Sequence, residues 1–291
     1  MSKKDIKAEN DVYFLGSKDP EEGGEKKSGS NKIWLIVSIC IAILVIILIL
    51  IFSLQKETPG YYFESVTNEA VVEKPVYKPI KNDTIKGYVE ILEETVNDVP
   101  LFVYVPHDAE MSLSVGRPDK SDSTIIFITQ AADIRGDNFE IVGDFVLAGQ
   151  QLSRGIAKTG FCAIIDGNIT IGVNENTPLL QKAIDTKGYF FRQYPLVNDG
   201  ELVENNPKNK SIRRALAVRA NKVVMVESRS AESFHDFSQA LIDIGVNDAI
   251  YLVGSNITFG WYYDKKHNKT EFGVEQTELP LNTSYIVWRT K

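Results

Sequence analysis

The chain has 291 residues, 43% hydrophobic and 24% charged, with 39 acids against 32 bases for a net charge of −7. This composition excludes a wholly disordered polymer, a collagen-like chain and a polytopic membrane protein. The acidic balance, with a pI of about 5.2, also excludes a nucleic-acid binder, which needs a basic face against phosphates.

In chain order, residues 1–32 carry seven lysines and seven acids among glycines and serines. They cannot bury a core and read as a disordered cytoplasmic tail. Residues 33–54 read as a transmembrane signal anchor, because Ile33 to Phe52 is an uncharged run of 20 residues, the length that crosses a bilayer as a helix. Lys26, Lys27 and Lys32 precede this run and only Lys56 follows it closely, so the N-terminus is expected in the cytoplasm and the C-terminal part outside it. Residues 55–84 form a tether punctuated by Pro59, Pro75 and Pro79. Its aromatics, Tyr61, Tyr62, Phe63 and Tyr77, equally suit packing onto the domain that follows.

Residues 85–291 form that domain. Short β-type runs dominate it, from Tyr88–Leu92 through Leu101–Val105, Thr124–Thr129, Phe161–Ile165 and Ile169–Val173 to Tyr189–Arg192, Ala215–Val218, Lys222–Glu227, Ala249–Val253 and Tyr285–Trp288. Asp166-Gly167, Asn198-Asp199-Gly200 and Ala220-Asn221 are turn sequences between such runs and predict hairpins. Thr177 and Pro178 open one short helix; Phe234, Phe237, Ala240, Leu241 and Ile244 recur at helical spacing in a second, which Ser230 or Ser233 can cap and Gly245 ends. The expected fold class is α+β: a mostly antiparallel mixed sheet with about two packed helices, preceded by a single transmembrane helix.

His107, His235 and His267 are far apart, one of the two cysteines, Cys40, lies in the apolar run, and no Cys-x-x-Cys, nucleophile elbow, phosphate loop or dinucleotide fingerprint occurs. No metal and no cofactor is expected. The two cysteines allow at most one bridge, so no disulfide framework is expected either. What remains are loop glycines beside polar residues: Asp133, Arg135 and Gly136; Gly143 and Asp144; Asp166 and Gly167; Arg213 and Arg214; and Gly254, Ser255 and Asn256 after a buried-looking strand.

The order of these segments resembles the phosphodiester glycosidase family, which contains the enzyme that removes N-acetylglucosamine from its 1-phosphodiester. The stretches that carry the resemblance are VGDF at Val142–Phe145, CAIIDG at Cys162–Gly167, RRAL at Arg213–Leu216, the helix SFHDFSQALIDIG and then AIYLVGS at Ala249–Ser255. Together they span roughly Phe102 to Gly260. Two positions depart from the family pattern: Val142 replaces an asparagine, and Val253 replaces the acid of the closing loop.

Joined to the anchor read from residues 33–54, which puts the domain outside the cytoplasm, the resemblance implies that this domain binds or hydrolyses a sugar 1-phosphodiester or related envelope glycan. The alternative is a non-catalytic envelope interaction module for a polysaccharide or protein partner. The expected partners are that glycan and, through residues 33–54, the lipid bilayer. Asp144, next to the lost asparagine, is either a substitute carboxylate or a surface aspartate, and Arg213 is either a bidentate phosphate clamp or a surface arginine. Gly143, Gly254, Ser255 and Asn256 are the expected substrate-binding loop positions. Trp261 joins them either as a ring for sugar stacking or as cover for a sheet.

Overall fold

The computed structural model describes residues 87–291 and, outside these, only Ile43. The expected tail, anchor and tether therefore lie outside the described residues. Among the described residues no helix is long and apolar enough to cross a membrane.

The chain opens with two long strands, β1 (Tyr88–Val96) and β2 (Val99–His107), followed by β3 (Ala109–Val115) and β4 (Ile125–Gln130). Next come β5 (Phe145–Leu147), β6 (Gln150–Ser153), β7 (Gly160–Ile165), β8 (Asn168–Val173), helix α1 (Leu179–Asp185), β9 (Tyr189–Gln193), β10 (Pro195–Asn198) and β11 (Glu201–Leu202). The last part holds β12 (Arg214–Arg219), β13 (Lys222–Ser228), helix α2 (Phe234–Asp243), β14 (Val246–Leu252), β15 (Gly260–Tyr263), β16 (Lys269–Phe272) and β17 (Ser284–Thr290). All ten expected strands are present, and the expected turns close hairpins. Asp166-Gly167, Asp199-Gly200 and Ala220-Asn221 all adopt positive φ, the conformation that two-residue hairpin turns require.

The fold class differs from the expectation. The domain is mostly β, 49% strand and 9% helix, built from three antiparallel sheets rather than one mixed sheet with helices. Strands run β1-β2-β13-β12-β14-β10-β11 in the seven-stranded sheet, β16-β15-β4-β17-β3 in one five-stranded sheet and β6-β5-β9-β7-β8 in the other. The β13–α2–β14 succession looked like a parallel crossover, but both strands pair antiparallel with β12, which lies between them. The hairpin at Ala220-Asn221 places β12 beside β13 first, so α2 must carry the chain past β12 to its far side.

One face of every sheet meets in a central core, where Leu216, Met225 and Leu252 of the large sheet pack with Phe127, Ile286 and Trp288 of one small sheet and Phe145, Cys162 and Phe191 of the other. The outer face of the large sheet is covered by α2 through Phe234, Phe237 and Leu241. Helix α2 starts where Ser233 accepts the Asp236 N–H at 3.0 Å and ends at Gly245, φ 82°, so both ends are satisfied by the residues the sequence places there. Helix α1 covers the outer face of β9 and β7 with Ala183 and Leu180.

Candidate functional site

Arg213 and Arg214 are neighbours in extended chain and point to opposite faces of the large sheet. Arg214 enters the central core: its Nε is ion-paired with Glu227, its Nη1 donates to Thr258 O at 3.0 Å and its guanidinium lies 4.7 Å from the Phe272 ring centre. Arg213 turns toward α2. Its Nε donates to Glu232 O at 3.0 Å, its Nη2 donates to Asn209 O, and its guanidinium stacks 4.1 Å from the Phe234 ring centre.

Arg213 does meet the Gly254 loop. Tyr251, whose hydroxyl accepts the Gly254 N–H at 3.1 Å, also bonds to Arg213, while burial pushes the pKa of that hydroxyl above its usual value. A Cβ on Gly254 would stand 2.9 Å from both Ile212 O and Arg214 N, so glycine is required there for backbone to pack on backbone. The guanidinium is enclosed, with Arg213 only 3% exposed. It clasps two chain segments and offers no open face to a phosphate.

Asp144 lies elsewhere. Its carboxylate is ion-paired with Arg192 Nε at 2.7 Å and accepts the Gly155 N–H at 3.0 Å. Arg192 spends its other nitrogens on Asn174 O at 2.8 Å and Glu175 O at 2.7 Å. Gly143, φ 85°, is needed because a Cβ there would press on Arg192 Cβ at 3.1 Å. Gly143 and Asp144 thus together house Arg192. Trp261 is also enclosed: it is 1% exposed, packed with Phe259 and Tyr285 and capped by Lys269 Nζ at 4.6 Å.

The open site lies where β4 and β14 end side by side, tied by Val253 N–H to Ala131 O at 3.4 Å. A cleft of about 340 Å³ opens there, with Asp133, Ile134, Val253, Ser255, Thr258 and Gln276 among the residues that line it. Of the expected residues, Ser255 is in this wall, bonded to Thr258 Oγ1 at 2.9 Å; Gly254 precedes it and Asn256 is exposed beside it. Val253, the departed closing-loop position, is in the wall as well. The only charged group among the lining residues is Asp133.

Behind Asp133 lies a buried amine that the sequence reading did not select. Lys158 is ion-paired with Asp133; its side chain is 3% exposed and that of Asp133 32%. Lys158 also donates to Gln193 Oε1 at 2.9 Å and lies 4.3 Å from the Tyr194 ring centre. Gln193 Oε1 accepts the Tyr194 N–H as well, at 3.0 Å, which fixes the amide orientation. Its buried Nε2 has no partner. Arg192 and Gln193 are successive residues of β9 and face opposite ways, which is why Asp144 and Asp133 lie on opposite faces of the same strand. The only sequence signal for this group was Asp133 among the loop residues; an isolated lysine between small residues gave none.

Burial pushes the Lys158 ammonium below its usual value of 10.5, against the opposing pull of Asp133. The unfolded amine keeps its proton up to about 10.5, whereas the folded one releases it earlier, so the unfolded state binds more protons in the interval between. The penalty is fully present below the folded value and is relieved as pH rises through that interval. The melting temperature of the wild type, relative to Lys158→Met, is therefore expected to rise as pH climbs toward 10.5. A difference that stays flat with pH would contradict this.

Among the described residues no group of three or more His, Cys, Asp or Glu side chains could hold a metal ion.

No protein-family model matches the sequence, and no curated protein matches it. The β-rich fold does have solved counterparts. The chain is similar to the catalytic domain of zebrafish N-acetylglucosamine-1-phosphodiester alpha-N-acetylglucosaminidase, solved auto-inhibited by its pro-peptide. The TM-score is 0.53 at 11% identity, covering 75% of this chain and 88% of that one. It is less similar to a hypothetical protein from Synechocystis, with a TM-score of 0.47 at 11% identity over 71% of this chain and 62% of that chain. At such identity the likeness to the zebrafish domain concerns the fold alone.

Proposed function

We propose that the domain binds an envelope glycan, such as the sugar of a 1-phosphodiester, in the cleft at the ends of β4 and β14, and does not hydrolyse it. The observation that carries this reading is the cleft itself, which opens at the closing loop, with Ser255 and Asp133 as its hydrogen-bonding groups. Glycosidic cleavage by the usual route takes two carboxyl groups flanking the bond. Only Asp133 lines the cleft, and it is engaged by Lys158. The position from which the family resemblance leads one to expect the second acid is Val253.

The reading extends to topology. Gly87, where the described chain begins, packs against His107 O and Asp108 O, and Lys291 N–H reaches Asp108 O at 3.4 Å at the β17 end. The cleft opens at the other end of β4, about 20 Å away along its six residues. In this reading residues 33–54 are a single-pass anchor and the domain lies outside the cytoplasm. An alkaline wash that strips the full chain from membranes would remove the anchor from this reading.

The test is titration calorimetry of the full-length chain with the methyl phosphodiester of N-acetylglucosamine 1-phosphate, beside an assay for release of free sugar. Binding that is weakened by Ser255→Ala and Asp133→Asn, with no sugar released, is expected. Sugar release would turn the binding module into an enzyme. Absence of binding would end the 1-phosphodiester as the ligand.

A further inference from the structure

The loop between Asp133 and β5 contains a residue whose placement nothing in the fold requires. Phe139 has φ 58°, a left-handed conformation that is a true outlier for a bulky side chain. It is 43% exposed, so no core packing repays the strain. The conformation is nevertheless held on both sides: its N–H donates to Arg135 O at 3.1 Å, and its carbonyl accepts from Asn282 Nδ2 at 3.1 Å. Strain held in this way beside a cavity points to a task.

The location is consistent with that. Ile134, which bridges to Ile141 at the base of the Phe139 loop, lines the cleft, as does Thr283 next to Asn282. The Phe139 backbone is thus tied to a segment that borders the cleft, and its loop leaves the cleft wall at Ile134. The chemistry of the wall narrows the ligand further. Hydroxyl and amide groups of Gln130, Ser255, Thr258 and Gln276 line it, and no lysine or arginine does. A phosphate would meet one carboxylate and no cation, whereas sugar hydroxyls can donate to Asp133 and exchange hydrogen bonds with the rest.

Resting on the glycan reading above, we infer that the cleft recognises an uncharged pyranose ring, with exposed Phe139 as the aromatic platform on which the apolar face of the ring stacks. Trp261, the ring that the sequence suggested for this role, is enclosed in the fold, whereas Phe139 is exposed on the loop that leaves the cleft wall at Ile134.

The experiment compares the full-length wild type with Phe139→Ala, Phe139→Trp and Phe139→Gly, titrated with a neutral N-acetylglucosamine tetramer and with the methyl phosphodiester of N-acetylglucosamine 1-phosphate. The tetramer is expected to bind at least as tightly as the phosphodiester. Phe139→Ala should weaken tetramer binding about tenfold, while Phe139→Trp retains it. Phe139→Gly should raise the melting temperature, by releasing the strained φ, and yet lose affinity as alanine does. Unchanged affinity in the alanine and glycine variants would overturn the platform while leaving glycan binding intact. A phosphodiester bound much more tightly than the tetramer would overturn the uncharged ligand. No binding of either probe by the wild type would overturn both this inference and the glycan reading.

Discussion

Replacing Arg192 with alanine is expected to destabilise the domain by about 3–5 kcal/mol, the usual cost of breaking a buried ion pair from one side. Asp144, 6% exposed, would keep its charge without the 2.7 Å partner. Asn174 O and Glu175 O, between β8 and α1, would lose the two guanidinium bonds that hold them. Asp144→Asn is expected to cost less, because the amide still accepts from Gly155 N–H. The double variant should lose less than the sum of the two, since the pair is broken only once. Denaturant unfolding of the four proteins reads these differences. Glycan affinity per folded molecule is the second readout, and it should be unchanged in Asp144→Asn. If Asp144→Asn instead removed binding at full stability, Asp144 would return to the site as a ligand group.

Arg213→Ala is expected to cost about 2–5 kcal/mol, because it removes the guanidinium bonds to Asn209 O and to Glu232 O, which keeps only the Ser211 N–H. It also removes the cation from the face of Phe234. Arg213→Lys keeps the charge over the ring but cannot span both carbonyls in the fixed fork of a guanidinium, so an intermediate loss is expected. A phosphate clamp predicts something different: a lysine variant that unfolds normally but binds a phosphodiester poorly. Melting curves and calorimetry on the same preparations separate the two, and affinity that falls while stability holds would restore the clamp.

Arg213 and Asp144 show why local sequence leaves the surroundings of such residues open. Arg213 stands in a block whose family resemblance points to a ligand, and Asp144 stands beside a lost asparagine. Both look like surface groups by composition alone. Their burial depends on partners far away in the chain: Asp144 meets Arg192 at a separation of 48 residues, and Arg213 meets Glu232 at 19. Lys158 reaches Asp133 across 25 residues and Gln193 across 35. None of these pairs leaves a local spacing that could be read.

The sequence by itself determined the elements whose cause is local. Alternating branched and aromatic residues set the strands, paired positive-φ turn residues set the hairpins, and Ser233 with Gly245 set the limits of α2, because period, turn geometry and capping act over a few neighbours. It also placed Ser255 at the loop that borders the cleft. Only the tertiary structure decided the class of fold, since it depends on which hairpins stack; inserting β12 between β13 and β14 turned an apparent crossover unit into antiparallel sheet. It likewise decided which polar groups face water. Arg213 and Asp144 went inside because each found a long-range partner that offsets desolvation and Trp261 because it packs with Phe259 and Tyr285, whereas Asp133 lines the cleft and Phe139 stayed exposed.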